Sequence, residues 1–201
     1  MRECEPFILK RVLELESLKQ KFPPKELRDG DEILFYGRAT RLSVIWTWRD
    51  RIRVNLLEGE IEMLAPLSST RNERVTALRK FFLRQARLHL PERLAHFARV
   101  MGLQPRRLSI RGQRTLWGSC TSDHVISLNW KLLACPETVI DYVVIHELAH
   151  IPHPNHSERF WELVKQYYPE HKAARRWLRE HQPALSAQFE SERQNPSPGA
   201  G

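Results

Sequence analysis

The sequence predicts an α+β domain. An antiparallel or mixed sheet packs against one long helix and against a second helix that carries His146-Glu147-Leu148-Ala149-His150. Three observations lead there. Residues 31–66 alternate apolar and polar side chains between turn residues, the period of half-buried strands. From residue 69 the apolar side chains fall at helical spacing instead. Val139, Ile140, Val143, Val144 and Ile145 then lead into an H-E-x-x-H run, in which residues four apart share one helix face.

Taken in order, residues 1–30 read as an N-terminal helical arm, with Phe7, Ile8, Val12, Leu13, Leu15 and Leu18 at helical spacing and Phe22-Pro23-Pro24 as its break. Residues 31–185 form the domain. Its β-rich part, 31–66, is expected to be an antiparallel meander: Ile33 to Tyr36, Leu42 to Trp48, Arg51 to Leu56, and Glu60 to Met63 after a Glu58-Gly59 turn. Trp46 and Trp48 are taken as cross-strand packing. The helical and catalytic part spans 69–185. Ser69 or Thr70 caps a long helix through Val75, Leu78, Phe81, Phe82, Ala86 and Leu90. Pro91 should break or kink it, and a second segment continues to Gly102. Arg107 to Arg111 and Val125 to Asn129 read as strands. Pro136 and Glu137 suit the start of the H-E-x-x-H helix. A last helix covers 170–180, and the polar, Pro-containing residues 190–201 read as a disordered tail.

The H-E-x-x-H spacing carries chemistry. Both imidazoles point at one ion, and Glu147, rotated away, reaches a metal-bound water without ligating. Two imidazoles and a carboxylate at the end of an otherwise apolar helix need partners, because unpaired buried polar groups are costly. A metal supplies them. Catalytic zinc takes three protein ligands and a water, so a third ligand is needed. Pro152 interrupts the helix and turns the chain. Asn155 then caps a new helix, with Glu158 completing a capping box. His156, in that helix's first turn, is favoured as third ligand over His153 and Glu162. An oxyanion donor is also required. Tyr167, Tyr168, Asn129 and Arg114 are its candidates, with no basis for choosing among them. Arg114, Trp117 and Asn129 are the candidate substrate contacts.

Composition sets wider bounds. Lys and Arg number 32 against 24 Asp and Glu, a net charge of +8. That balance allows a nucleotide or nucleic-acid partner, although the cations are spread along the chain as on solvated helices. Arg106, Arg107, Arg111 and Arg114 precede the Trp117 loop and are placed to line a cleft. Three cysteines, Cys4, Cys120 and Cys135, without regular spacing point to reduced thiols and a cytoplasmic setting. No stretch has the apolar length of a membrane span, and no signal-peptide pattern is seen.

Several segments together resemble the YgjP-type metallopeptidase domain: Trp117-Gly118-Ser119-Cys120, Ile126-Ser127-Leu128-Asn129-Trp130, Pro136, Asp141 through His150, Asn155-His156-Ser157 and Phe160-Trp161. These are predicted metal-dependent hydrolases of the zincin-like group. The resemblance runs from Gly37-Arg38 to Trp177. It implies a zincin-like fold, His146, His150 and His156 as metal ligands, Glu147 as base, and the strand from Val125 to Asn129 as the edge lining the cleft. The chain departs from the pattern at Leu116, where a basic residue is common, and in the stiff Pro152-His153-Pro154 loop.

Three functions compete on this reading. A zinc peptidase acting on a peptide or small-molecule amide leads. A metal-dependent nucleoside triphosphate pyrophosphohydrolase would use the same water activation, with arginines holding phosphates. A basic nucleic-acid-binding module with a structural zinc is third, and Glu147 argues against it, since a closed structural site needs no base.

Overall fold

The computed structural model describes residues 25–113 and 116–190. The arm expected over residues 1–30 lies outside the described residues up to residue 24, as does the tail from residue 191. Residues 25–30 run as irregular chain and a turn rather than helix.

The fold is α+β. Four strands form the first sheet: β1 (Glu32–Phe35), β2 (Arg38–Thr47), β3 (Arg53–Leu57) and β4 (Glu60–Pro66), in the order β1-β2-β4-β3. The expected plain meander is therefore corrected. β4 inserts between β2 and β3, parallel to β2 and antiparallel to β3. Apolar content explains the order. Ile61, Met63 and Ala65 of β4 are buried, whereas β3 buries Val54 and exposes the rest, so the more apolar strand takes the interior position. Tight turns close the two hairpins. Tyr36-Gly37 and Glu58-Gly59 all have positive φ, the geometry that matches strand twist in two-residue hairpin loops. Gly37 has a second reason: a Cβ there would lie 2.5 Å from the Pro136 ring. That turn also donates from Tyr36 N to the Leu133 carbonyl, at 2.7 Å, seating the first sheet against the start of the H-E-x-x-H helix.

Helix α1 (Arg71–Met101) follows. Thr70 caps it through a reciprocal box with Glu73, and Gly102 ends it in the left-handed region at φ 66. Pro91 neither breaks it nor splits it into the two expected segments. An interior proline costs about 3 kcal/mol, but Pro91 is exposed while Leu90 and Leu94 on either side are buried. Each such burial contributes about 1.5–3 kcal/mol, which offsets the lost bond.

The second sheet holds β5 (Arg107–Arg111), β6 (Gly118–Cys120) and β7 (Val125–Asn129) in the order β5-β7-β6. β7 is central, parallel to β5 and antiparallel to β6. The edge expected at Val125–Asn129 therefore lies at β6 instead. The physical reason is again burial: Ile126 to Asn129 are all buried, as a strand covered by two neighbours requires.

A 3-10 turn, Trp130–Ala134, leads to α2 (Glu137–Ala149), then α3 (Glu158–Tyr167) and α4 (His171–Ala187). α2 is buried nearly all round, the mark of a central helix. Arg93 of α1 clamps it by two bonds to Asp141, at 2.7 and 2.6 Å. α4 runs beyond the expected residue 180 and carries Pro183 inside it. Past its end, the Gln188 amide bonds both the N–H and the carbonyl of Leu34, at 2.7 and 3.1 Å. The side chain thus covers the free edge of β1 as a strand would. Among the described residues no helix is long and apolar enough to cross a membrane.

Candidate metal centre

His146 and His150 occupy the last turn of α2, with ring centroids 5.0 Å apart. The loop through Pro152 and Pro154 reverses the chain and returns His156 to them. Its Nε2 lies 3.2 Å from the Nε2 of His146. One ligand-capable atom from each of the three residues lies within 4.8 Å of the others. His156 does not sit inside the following helix as expected. Ser157 is at the cap position and α3 begins at Glu158, with no side-chain cap bond, so neither the Asn155 cap nor the capping box with Glu158 forms. His156 precedes the helix, which leaves its ring free to turn back.

Phe160, fully buried, is the platform of the cluster. Its ring centroid is 4.9 Å from His146, 4.5 Å from His150 and 4.8 Å from His156. Trp161 stacks on His156 at 5.5 Å and carries the Arg175 guanidinium over its ring at 4.7 Å. The Phe160-Trp161 pair four and five residues after His156 is the sequence signal for this platform.

Hydrogen bonds fix which nitrogens face the cluster. The Nδ1–H of His150 donates to the carbonyl of His153 at 3.2 Å, which leaves the Nε2 lone pair available. His146 Nδ1 meets the Tyr142 hydroxyl at 3.4 Å, again turning Nε2 inward. His153 thus enters through its backbone, held by the prolines on either side. Its imidazole, like the Glu162 carboxylate, is not in the cluster.

Electrostatics match this arrangement. Burial, then the neighbouring His150, His156 and Arg175, pull the His146 pKa down to about 3. Burial also lowers His150. These two imidazoles are neutral at pH 7, as metal ligation requires. Glu147 is 5% exposed, and burial pushes its carboxyl up to about 8. Strand β6 lies directly against it. A Cβ on Gly118 would come within 2.6 Å of Oε1 and 2.8 Å of Cδ of Glu147. Cys120, at the other end of β6, is a half-buried free thiol whose pKa is raised by burial and by the Glu147 charge.

The candidate substrate contacts fall differently. Asn129 is corrected. It is buried, both amide hydrogens go to the carbonyls of Gln113 and Leu116 at 2.8 and 2.9 Å, and its Oδ1 accepts from Lys131 N. With its donors committed, it anchors the loop before β6 and has none left for a substrate or oxyanion. Trp117 is half-buried against the core, with its carbonyl accepting from Asn129 N. Arg114 lies outside the described residues. Arg107 and Arg111 are on β5, across β7 from the β6 edge. Tyr168 packs on Tyr142 at 5.8 Å, and Tyr167 packs on the core.

An H-E-x-x-H helix, a third imidazole returned by a chain reversal and a carboxylate buried against a strand together define a metallopeptidase-type centre. The chain belongs to the YgjP-like, metallopeptidase domain family, whose model matches residues 2–181. The family implies a metal ion, and His146, His150 and His156 are the residues that could bind it. Among solved structures, the metallopeptidase zymogen of Pyrococcus abyssi abylysin is similar to part of the chain. It is 26% identical over 46% of this chain and 95% of that one, with a TM-score of 0.42. No curated protein matches the chain.

Proposed function

We propose that the protein is a zinc-dependent peptidase with a zincin-like site, in which His146, His150 and His156 hold the ion and Glu147 is the general base. The convergence of His146 and His150, at the end of the helix that carries Glu147, with His156 from the returning loop carries this reading. Zn–N bonds of about 2.0–2.1 Å at tetrahedral angles place ligand nitrogens about 3.3 Å apart. The His146–His156 Nε2 separation of 3.2 Å fits that requirement. An all-imidazole donor set suits zinc and disfavours Mg²⁺, which takes oxygen ligands.

When bound, zinc supplies a Lewis acid that polarises the attacked carbonyl and brings the pKa of a water to about 7. The chain's own residues do the rest. The Glu147 carboxylate accepts the proton from the attacking water and hands it to the leaving nitrogen. Glu147, raised by burial, would be shifted back toward its ionised form by a cation held at the three imidazoles. Gly118 holds that carboxylate in place by contact. Phe160 shields the imidazole faces from water. Among the described residues β6 pairs with β7 alone, so its outer edge offers backbone groups to an extended peptide by strand addition. The free thiols Cys120 and Cys135 accord with a cytoplasmic setting.

Substrate class is tested by incubating the zinc-loaded protein in parallel with a peptide library and with nucleoside triphosphates. Peptide cleavage alone is expected. Pyrophosphate release with no peptide cleavage would replace this function with the phosphoanhydride hydrolase.

A further inference from the structure

A large concavity lies away from the metal centre. Its volume is 1010 Å³, and its walls come from the end of β2, the β2–β3 loop, β3, the loop after β4 and the N-terminal half of α1, with no residue of α2 or α3. That is the upper end of the about 300–1,000 Å³ typical of ligand sites. Arg49, Arg51 and Arg53 line one wall, and Lys80 and Arg84 the other. A second depression shares Lys80 and Arg84 and extends along α1 to Arg87. The chain therefore presents two cationic rails, one on the β2–β3 loop and the start of β3, and one along a single helix face.

Acidic side chains do not neutralise these rails. Of the carboxylates in the wall, Glu73 is turned onto Thr70, with Oε2 at 2.7 Å from the backbone N and 2.9 Å from the hydroxyl. Asp50 is the other. Among the described residues no ion pair involves Arg49, Arg51, Arg53, Lys80 or Arg87. The groove also contains Trp48, which is 91% exposed. Cross-strand packing, expected from the sequence, does not occur at this residue. Its neighbour Trp46 is covered by Arg74, at 5.6 Å, whereas among the described residues no ring or cation lies on Trp48.

The geometry points to a single-stranded nucleic acid-binding groove, in which the two cationic rails track phosphates and the Trp48 indole stacks on a base. Cationic grooves with protruding aromatics bind single strands this way, because every base has a face to stack. A duplex would not use the indole, since its bases are already stacked. An acidic peptide would use the cations but has no planar group for Trp48. This surface gives one part of the chain's basic charge a functional place, independent of the peptidase reading.

The test is fluorescence anisotropy of a labelled oligothymidylate with the full chain at several salt concentrations. Competitors are a duplex of equal length and polyglutamate. Binding should weaken with salt at a slope of about −0.7 per phosphate contacted. Trp48→Ala should weaken binding about tenfold and leave the slope unchanged. Replacing Arg49, Arg51 and Arg53 together by Gln should flatten the slope by about 2. Both variants should keep wild-type zinc content and peptide cleavage. No binding at low salt would overturn the proposal. So would wild-type affinity in Trp48→Ala, or competition by duplex or polyglutamate as strong as by the single strand.

Discussion

The backbone of Gly118 in β6 lies against the Glu147 carboxylate, so that a Cβ at residue 118 would fall 2.6 Å from Oε1. Strand and carboxylate are fitted to one another. A Cβ 2.6 Å from Oε1 is well inside ordinary van der Waals contact, so Gly118→Ala should displace the carboxylate by roughly an ångström. Such misplacement costs about a hundredfold in rate. Kinetics with zinc analysis check this: kcat should fall while zinc content stays at the wild-type value.

The His153 carbonyl accepts from His150 at 3.2 Å, and Pro152 and Pro154 hold it there. Partners of metal-bound imidazoles are worth about 10–100-fold in metal affinity. Replacing both prolines by glycine should weaken zinc binding by about tenfold, measured by chelator competition, without altering the ligand set.

His156→Ala removes the imidazole that the chain reversal supplies and that we propose as third ligand. Zinc affinity should fall by more than the about 100-fold that marks an outer partner. Unchanged zinc content would move the third ligand elsewhere.

In metal-free protein, burial raises the Glu147 carboxyl to about 8, against about 4.3 in an unfolded chain. Between those values the folded chain retains a proton that the unfolded chain has released, so stability falls as pH rises through this window. His146, held down to about 3, acts oppositely. Below about 6.5 the unfolded chain binds the extra proton, and stability rises with pH. Glu147→Gln removes the first effect and leaves the second. Thermal melts of the two metal-free chains should agree near pH ~4 and separate toward pH 8, with the variant more stable by up to about 5 kcal/mol.

Local spacing made α2 and its two imidazoles legible, because positions four apart on a helix need no tertiary information. The return of His156 was legible from Pro152, although the helix after it starts at Glu158 rather than at an Asn155 cap. Strand order was not legible. Alternation states which face of a strand is buried and not which strand lies beside it, so neither the insertion of β4 nor the central place of β7 could be read. Asn129 was misassigned because a polar residue near the motif looks available until its partners, the carbonyls of Gln113 and Leu116, are known. The Gly118–Glu147 contact joins residues far apart in the chain. No periodicity encodes it, though a glycine beside Trp117 is its trace. Pro91 misled because its backbone cost is local while the burial of Leu90 and Leu94 that offsets it is tertiary.

The most direct measurement compares peptide cleavage by zinc-loaded wild type and Glu147→Gln at matched zinc content. A general base contributes about 10²–10⁴-fold, and the variant is expected to bind zinc normally and lose cleavage by that factor. Cleavage at the wild-type rate by a zinc-replete Glu147→Gln protein would contradict the assignment of Glu147 as the base.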